Sequence, residues 1–195
     1  LNMMTLPNAN IPMLLKKKMI DVGFVYSSKE CKDEELKIVP LYEEPVCLMA
    51  EKTNPLLQKR QLTYEALAGM DFIYPHDTCC FVTMLLSRFK ARDIQLGRCR
   101  YVGSVQLVAE RACHAGMLTL APAGAIRRYA EAFALEPLDM AEEVLWARQN
   151  LIYLDNESTG PAARELIRAS VQYAAELLQT QPAALIRKPQ VEGVD

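Results

Sequence analysis

The chain has 195 residues, a formal net charge of -2, six cysteines and two histidines. That length can bury a real core in one domain or two small ones. The charge argues against a duplex-binding face on this chain, and no apolar run approaches the roughly 20 residues of a membrane span. The N-terminus carries no basic segment followed by an apolar stretch, so no secretory signal is read. The cysteines are scattered through a chain that is 51% hydrophobic, which reads as reduced thiols in a cytoplasmic protein. With no Cys-x-x-Cys pair and isolated His76 and His114, neither a zinc site nor any other metal or cofactor is expected.

In chain order, the apolar run from Leu1 to Leu6 predicts a short strand, and Pro7 to Asn10 a turn. Ile11 to Lys18 predicts a helix with Ile11, Leu14 and Leu15 on one face. Asp21 to Tyr26 is β-branched and aromatic, a strand followed by a charged loop to Glu35. Leu36–Leu41 and Val46–Ala50 predict two strands separated by a turn at Glu43-Glu44-Pro45. A short helix at Tyr64–Ala68 and a strand at Asp71–Tyr74 come next. Phe81, Met84, Leu85 and Phe89 then lie at helical spacing within Cys79–Arg92. Cys99–Val102 is a strand, Ser104–Ala115 a helix, Leu118–Ala121 a strand and Ala123–Glu131 a short helix. Leu135–Met140 and Leu145–Leu154 are extended. A long amphipathic helix begins near Pro161, since proline is tolerated in a first turn, and runs to about Leu178. Residues 182–195 read as a frayed tail. Alternating strands and helices call for an α/β fold with a mostly parallel sheet.

Candidate functional residues gather where helices open after strands. Asp77, Thr78 and Cys79 head one helix, and Ser104 and Val105 head the next. Helix N-termini offer free N–H groups to an anion, and a hydroxyl there caps the helix or joins the ligand. His76 stands beside Asp77 and could hydrogen-bond the same ligand. Ser27, Ser28 and Pro122 follow strand ends, where open α/β sheets place ligands. Cys79 and Cys80 raise a redox reading against a packing one; Cys113 reads as core and His114 as solvent-facing. Arg127, Arg128 and Lys16 to Lys18 read as solvated helix faces. No nucleophile elbow, P-loop or dinucleotide fingerprint is present, so no enzyme is expected.

Five passages in order carry a family resemblance. They are Leu14-Leu15 through Ile20-Asp21-Val22-Gly23-Phe24, Val39 to Met49, Thr63 to Ala68 with Phe72-Ile73, Cys79 with Phe81, and Ser104 through Cys113 to Gly116 and Pro122. Together they resemble the effector-binding domain of LysR-type transcriptional regulators. The family's second glycine after Gly116 is replaced by the neighbourhood of Leu118. The resemblance implies two Rossmann-like lobes of the type II periplasmic-binding-protein kind, with residues 1–47 and 150–181 in lobe I and 48–149 in lobe II. A small, anionic effector would sit in the cleft between them, against Ser27, Asp77, Thr78, Cys79, Ser104, Val105 and Pro122. It also implies that the family's first strand and helix, and its DNA-binding winged helix, lie outside this chain, and that the regulator is a homodimer or homotetramer. Two other readings stay open: a solute-binding protein of a transport system, and a thiol-based redox sensor using Cys79 or Cys80.

Overall fold

The computed structural model describes residues 2–27, 32–75, 79–103, 105–141, 145–155 and 159–189. The chain divides into two compact units, 1–44 with 147–195, and 45–146. Two strands carry the chain across the boundary. They are β2 (Lys37–Glu51) and β7 (Leu145–Tyr153).

In unit 1, helix α1 (Ile11–Lys16) accommodates Pro12 in its first turn and buries Ile11 and Leu15. It packs on β1 (Val22–Ser27), which runs antiparallel to β7 in the register Val25↔Asn150. In strand order β7 lies between β1 and β2. One apolar cluster joins Ile11, Leu15, Val25, Leu36 and Ile152, and a second joins Leu41 and Leu151 to Ala174 of α5 (Pro161–Thr180). Gly23 leaves room for α1, because a Cβ there would lie 2.3 Å from Ile11 Cγ2.

Unit 2 is built on a βαβαβ run. Strand β3 (Phe72–Tyr74) pairs in parallel with β4 (Cys99–Tyr101), and Phe72 bridges in parallel to Leu118, just before β5 (Thr119–Pro122). Helix α2 (Cys80–Ala91) buries Val82, Leu85 and Phe89 at i, i+3 and i+7. Helix α3 (Val105–Ala115) buries Val108, Ala109 and Ala112, and Gly116 at φ +63° follows it in the left-handed conformation that closes many helices. Helix α4 (Ile126–Phe133) ends on Ala134, also left-handed, whose N–H donates to the Tyr129 carbonyl. Strands β5 and β6 (Leu135–Pro137) pair antiparallel with the second half of β2. The loop entering β4 is tight. A Cβ at Gly97 would lie 2.4 Å from both the Gly69 carbonyl and Asp71 Oδ1. Backbone cannot yield as a flexible side chain does, so Gly97→Ala is expected to cost about 1–3 kcal/mol, read as a lowered urea midpoint.

Four expectations change. Residues 2–6 form no strand; Met3 and Met4 are exposed. The turn at Glu43-Glu44-Pro45 is absent, and β2 runs unbroken for 15 residues with both carboxylates buried. The sheet is not mostly parallel among the described residues: β1 pairs β7, and β5 and β6 pair β2, all antiparallel, and the parallel pairings are β3 with β4 and the bridges Phe72–Leu118 and Leu62–Met140. The C-terminal segment is not frayed up to residue 189, since Ile186 is buried and Arg187 bridges to Glu43.

Candidate functional site

The βαβαβ run fixes where two helices begin. Parallel strands end at the same edge, so the chain leaves β3 at Tyr74 beside the point where it leaves β4 at Tyr101. The exits are tied together. Val102 N–H donates to the Tyr74 carbonyl at 3.2 Å, and Gly103 N–H to the Pro75 carbonyl at 2.7 Å. The rings of Tyr74 and Tyr101 stack with centroids 6.4 Å apart. Gly103 has φ +77°, a backbone state open to glycine at no steric cost, which turns the chain from β4 into α3. Pro122 ends β5 opposite Val46 and leads through a short 3₁₀ turn into α4. The first turns of α2 and α3, and the end of β5, thus belong to one edge of unit 2.

Asp77, Thr78 and Ser104, with His76 and Ser28, fall outside the described residues; of Val105 only the backbone, opening α3, is described. Cys79 is the half-buried N-cap of α2, its carbonyl accepting from the Thr83 N–H at 3.0 Å and the Thr83 hydroxyl at 3.2 Å. Burial pushes its thiol above the ordinary range, against the pull of the Val82 and Phe81 N–H groups. A raised thiol carries less thiolate at neutral pH, the reverse of what a reactive cysteine needs. Iodoacetamide at pH 7 is therefore expected to alkylate Cys79 more slowly than an unperturbed thiol. Mass spectrometry would check it, and a rate equal to glutathione's would overturn it. Tyr129 of α4 is buried, and that burial raises its phenol. The sequence reading passed over Tyr129; the signal was its place on the apolar face of α4, with Ile126 and Phe133.

In unit 1, Ser27 ends β1. Its hydroxyl accepts from Asn150 Nδ2 at 2.9 Å. Asn150 is fully buried, and the Arg148 carbonyl, also 3.2 Å from Nδ2, fixes which way its amide points. Asn150 Oδ1 has no hydrogen-bond partner among the described residues. A polar network surrounds this pair. The Tyr26 hydroxyl donates to Glu44 Oε1 at 2.6 Å, and burial and the Glu44 charge raise the Tyr26 phenol far above its ordinary range. The same causes push the Tyr42 phenol up to about 12. Glu43 Oε1 accepts from Arg148 Nε at 3.0 Å and Nη2 at 2.9 Å, and Oε2 from Arg187 Nε at 2.9 Å. None of this network except Ser27 was singled out from the sequence. Its trace there is a polar pair and a polar triplet, Glu43-Glu44 and Arg148-Gln149-Asn150, inside otherwise apolar strands.

An open groove of about 550 Å³ runs between α3 and α4 past Glu110, Cys113, His114 and Phe133. Among the described residues no group of three or more His, Cys, Asp or Glu side chains could hold a metal ion. No described helix is long and apolar enough to cross a membrane.

The family model described as the LysR substrate binding domain matches residues 1–175. The chain belongs to that family. This LysR substrate-binding domain is 29% identical over 84 residues to a probable nitrogen assimilation transcriptional activator of Synechocystis sp., a match that covers 43% of the chain and 27% of the relative. The chain thus matches about a quarter of that regulator's length. Among solved structures it is similar to the CcmR regulatory domain of Synechocystis PCC6803 in complex with 2-PG. The TM-score is 0.71 at 15% identity, covering 86% of this chain and 79% of that one. The effector-binding domain of QuiR in complex with shikimate gives 0.68 at 18%, covering 86% and 78%. The BenM effector-binding domain with its effector benzoate gives 0.67 at 18%, covering 94% and 82%. The α/β fold is that of type II periplasmic-binding-protein-like regulatory domains, as the sequence led one to expect.

Proposed function

We propose that this LysR substrate-binding domain senses a small anionic effector held by the opening turns of α2 and α3. The observation that carries the reading is the tie between Pro75 and Gly103, which keeps two helix starts side by side on one edge of unit 2. Free N–H groups at helix starts favour a carboxylate or phosphate, each helix end being worth roughly 0.3–1 kcal/mol toward a nearby charge. Thr78 and Ser104 would add hydroxyl contacts, Asp77 and the half-buried Cys79 would flank them, and Val105 would contribute its backbone N–H. Pro122 would border the site from β5. Ser27 is a further candidate contact, its oxygen already oriented by the Asn150 amide.

The effector would act by binding one arrangement of the regulator more tightly than another. DNA contact would come from a winged-helix domain elsewhere in the regulator, working as a homodimer or homotetramer in the cytoplasm, with no catalytic step. The raised Cys79 thiol favours this reading over a redox sensor. No observation favours a transport role.

Calorimetry and thermal shift against benzoate, shikimate and 2-PG, three small anions bound by structural neighbours, give the first test. At least one is expected to raise the melting temperature. With that ligand, Thr78→Ala and Ser104→Ala are each expected to weaken binding about tenfold, the worth of one charge-assisted hydrogen bond, with the melting temperature of the free protein unchanged. Unchanged affinity in both variants would remove the assignment.

A further inference from the structure

Glu43 lies in the half of β2 that belongs to unit 1, and a segment from the far end of the chain engages its backbone. Its N–H donates to the Arg187 carbonyl at 2.8 Å, and its carbonyl accepts from the Arg187 N–H at 2.9 Å. That exchange of both bonds is the hydrogen-bonded pair of an antiparallel ladder. The N–H and C=O of one strand residue point to the same edge, so Arg187 occupies the edge of β2 opposite β7. Strands β5 and β6 pair with β2 only from Val46 onward.

The same carboxylate ties three parts of the chain together. Glu43 is on β2, Arg148 is on β7, and Arg187 follows a turn in which Leu185 and Ile186 N–H groups donate to the Pro182 carbonyl at 2.8 and 3.1 Å. Ile186 is 8% exposed and anchors the turn. Both strands cross the unit boundary within a few residues of this point, β2 after Glu44 and β7 before Ala147.

We propose that residues 182–189 form a strand-edge strap. Docked, the strap stiffens β2 and β7 where they cross the boundary; released, it leaves the edge of β2 at Glu43 open. Among the described residues its hold on β2 rests on the backbone pair with Glu43, the buried Ile186 and the partly exposed Arg187, and so short a segment opens more readily than unit 1 unfolds. An opened edge presents unpaired N–H and C=O groups, which makes the docked strap a cover as well as a brace. The inference does not depend on an effector.

Amide hydrogen exchange read by mass spectrometry on the full chain tests it. Arg187→Gln is expected to raise exchange at residues 41–44 and 148–150 about tenfold, as for a released local opening. Arg187→Lys, which keeps the charge but loses the planar fork, should fall between. Exchange in α2 and α3 should stay as it was. Unchanged rates at 41–44 would overturn the proposal. A rise spread evenly over unit 1 would overturn it too, because that is a loss of global stability rather than release of a strap. If Arg187→Gln does not fold, Ile186→Ala carries the same comparison, since it leaves both charges on Glu43 in place.

Discussion

Glu43→Ala is expected to destabilise the protein by about 3–5 kcal/mol, the usual cost of removing one partner from a buried ion pair. The side chains of Glu43 and Arg148 are each only 8% exposed, and two Arg148 nitrogens reach one carboxylate oxygen at 2.9 and 3.0 Å. Without that carboxylate the guanidinium keeps its charge, since arginine does not deprotonate in proteins, and it stays where water is scarce. Arg187 is better placed to recover, because its side chain is 32% exposed and can turn to solvent. The loss should therefore fall mainly on Arg148. Replacing both partners, Glu43→Leu with Arg148→Met, should recover most of it, because a buried pair exchanged for apolar groups of similar size is often neutral. Urea unfolding of the two single variants and the double would decide. A Glu43→Ala cost below about 1 kcal/mol would place the pair in the class of solvated surface bridges and contradict its burial.

The sequence showed the helices and the βαβαβ run well, and for a physical reason. Of the α2 face expected at Phe81, Met84, Leu85 and Phe89, Leu85 and Phe89 are buried and Val82 joins them, while Val108 and Ala112 in α3 recur at helical spacing, because each helix buries one face against its neighbours. It showed β2 poorly. Glu43-Glu44-Pro45 has the polarity and the proline of a turn, yet the carboxylates are buried because Arg148 and Arg187, 105 and 144 residues further on, meet Glu43, and Tyr26 meets Glu44. Local reading has no access to partners at that separation. The opposite error came at the N-terminus. An apolar run from Leu1 to Leu6 suggested a strand, but a strand also needs an edge to pair with, and residues 2–6 pair with none. Ser27 could be read from its place after a strand, whereas Asn150, which orients it, looked like an ordinary interruption of an apolar strand. The hydroxyls expected at the helix starts, Thr78 and Ser104, lie outside the described residues.

Phe89→Ala should be the most damaging single truncation in unit 2, at about 3–5 kcal/mol for a large aromatic removed from a core. The ring is 2% exposed and meets Tyr64 edge-on at 5.5 Å and Phe72 at 5.8 Å. It thereby fastens the last turn of α2 to β3 and to the 3₁₀ turn Tyr64–Leu67. The Phe89 carbonyl also accepts from the Arg92 and Ile94 N–H groups, at 3.1 and 3.0 Å, which close that end of the helix. Truncation opens a cavity that backbone bonded in this way cannot collapse to fill. Phe89→Leu keeps most of the volume and should cost about 1–1.5 kcal/mol. Unit 1 has its own clusters around Leu15 and Leu151, so the damage should stay local. Scanning calorimetry of Phe89→Ala is then expected to show two transitions, an early one for unit 2 and a later one for unit 1. A single transition shifted as a whole would mean that the two units unfold together. The α2 start would then depend on the entire chain for its position, rather than on the core directly beneath it.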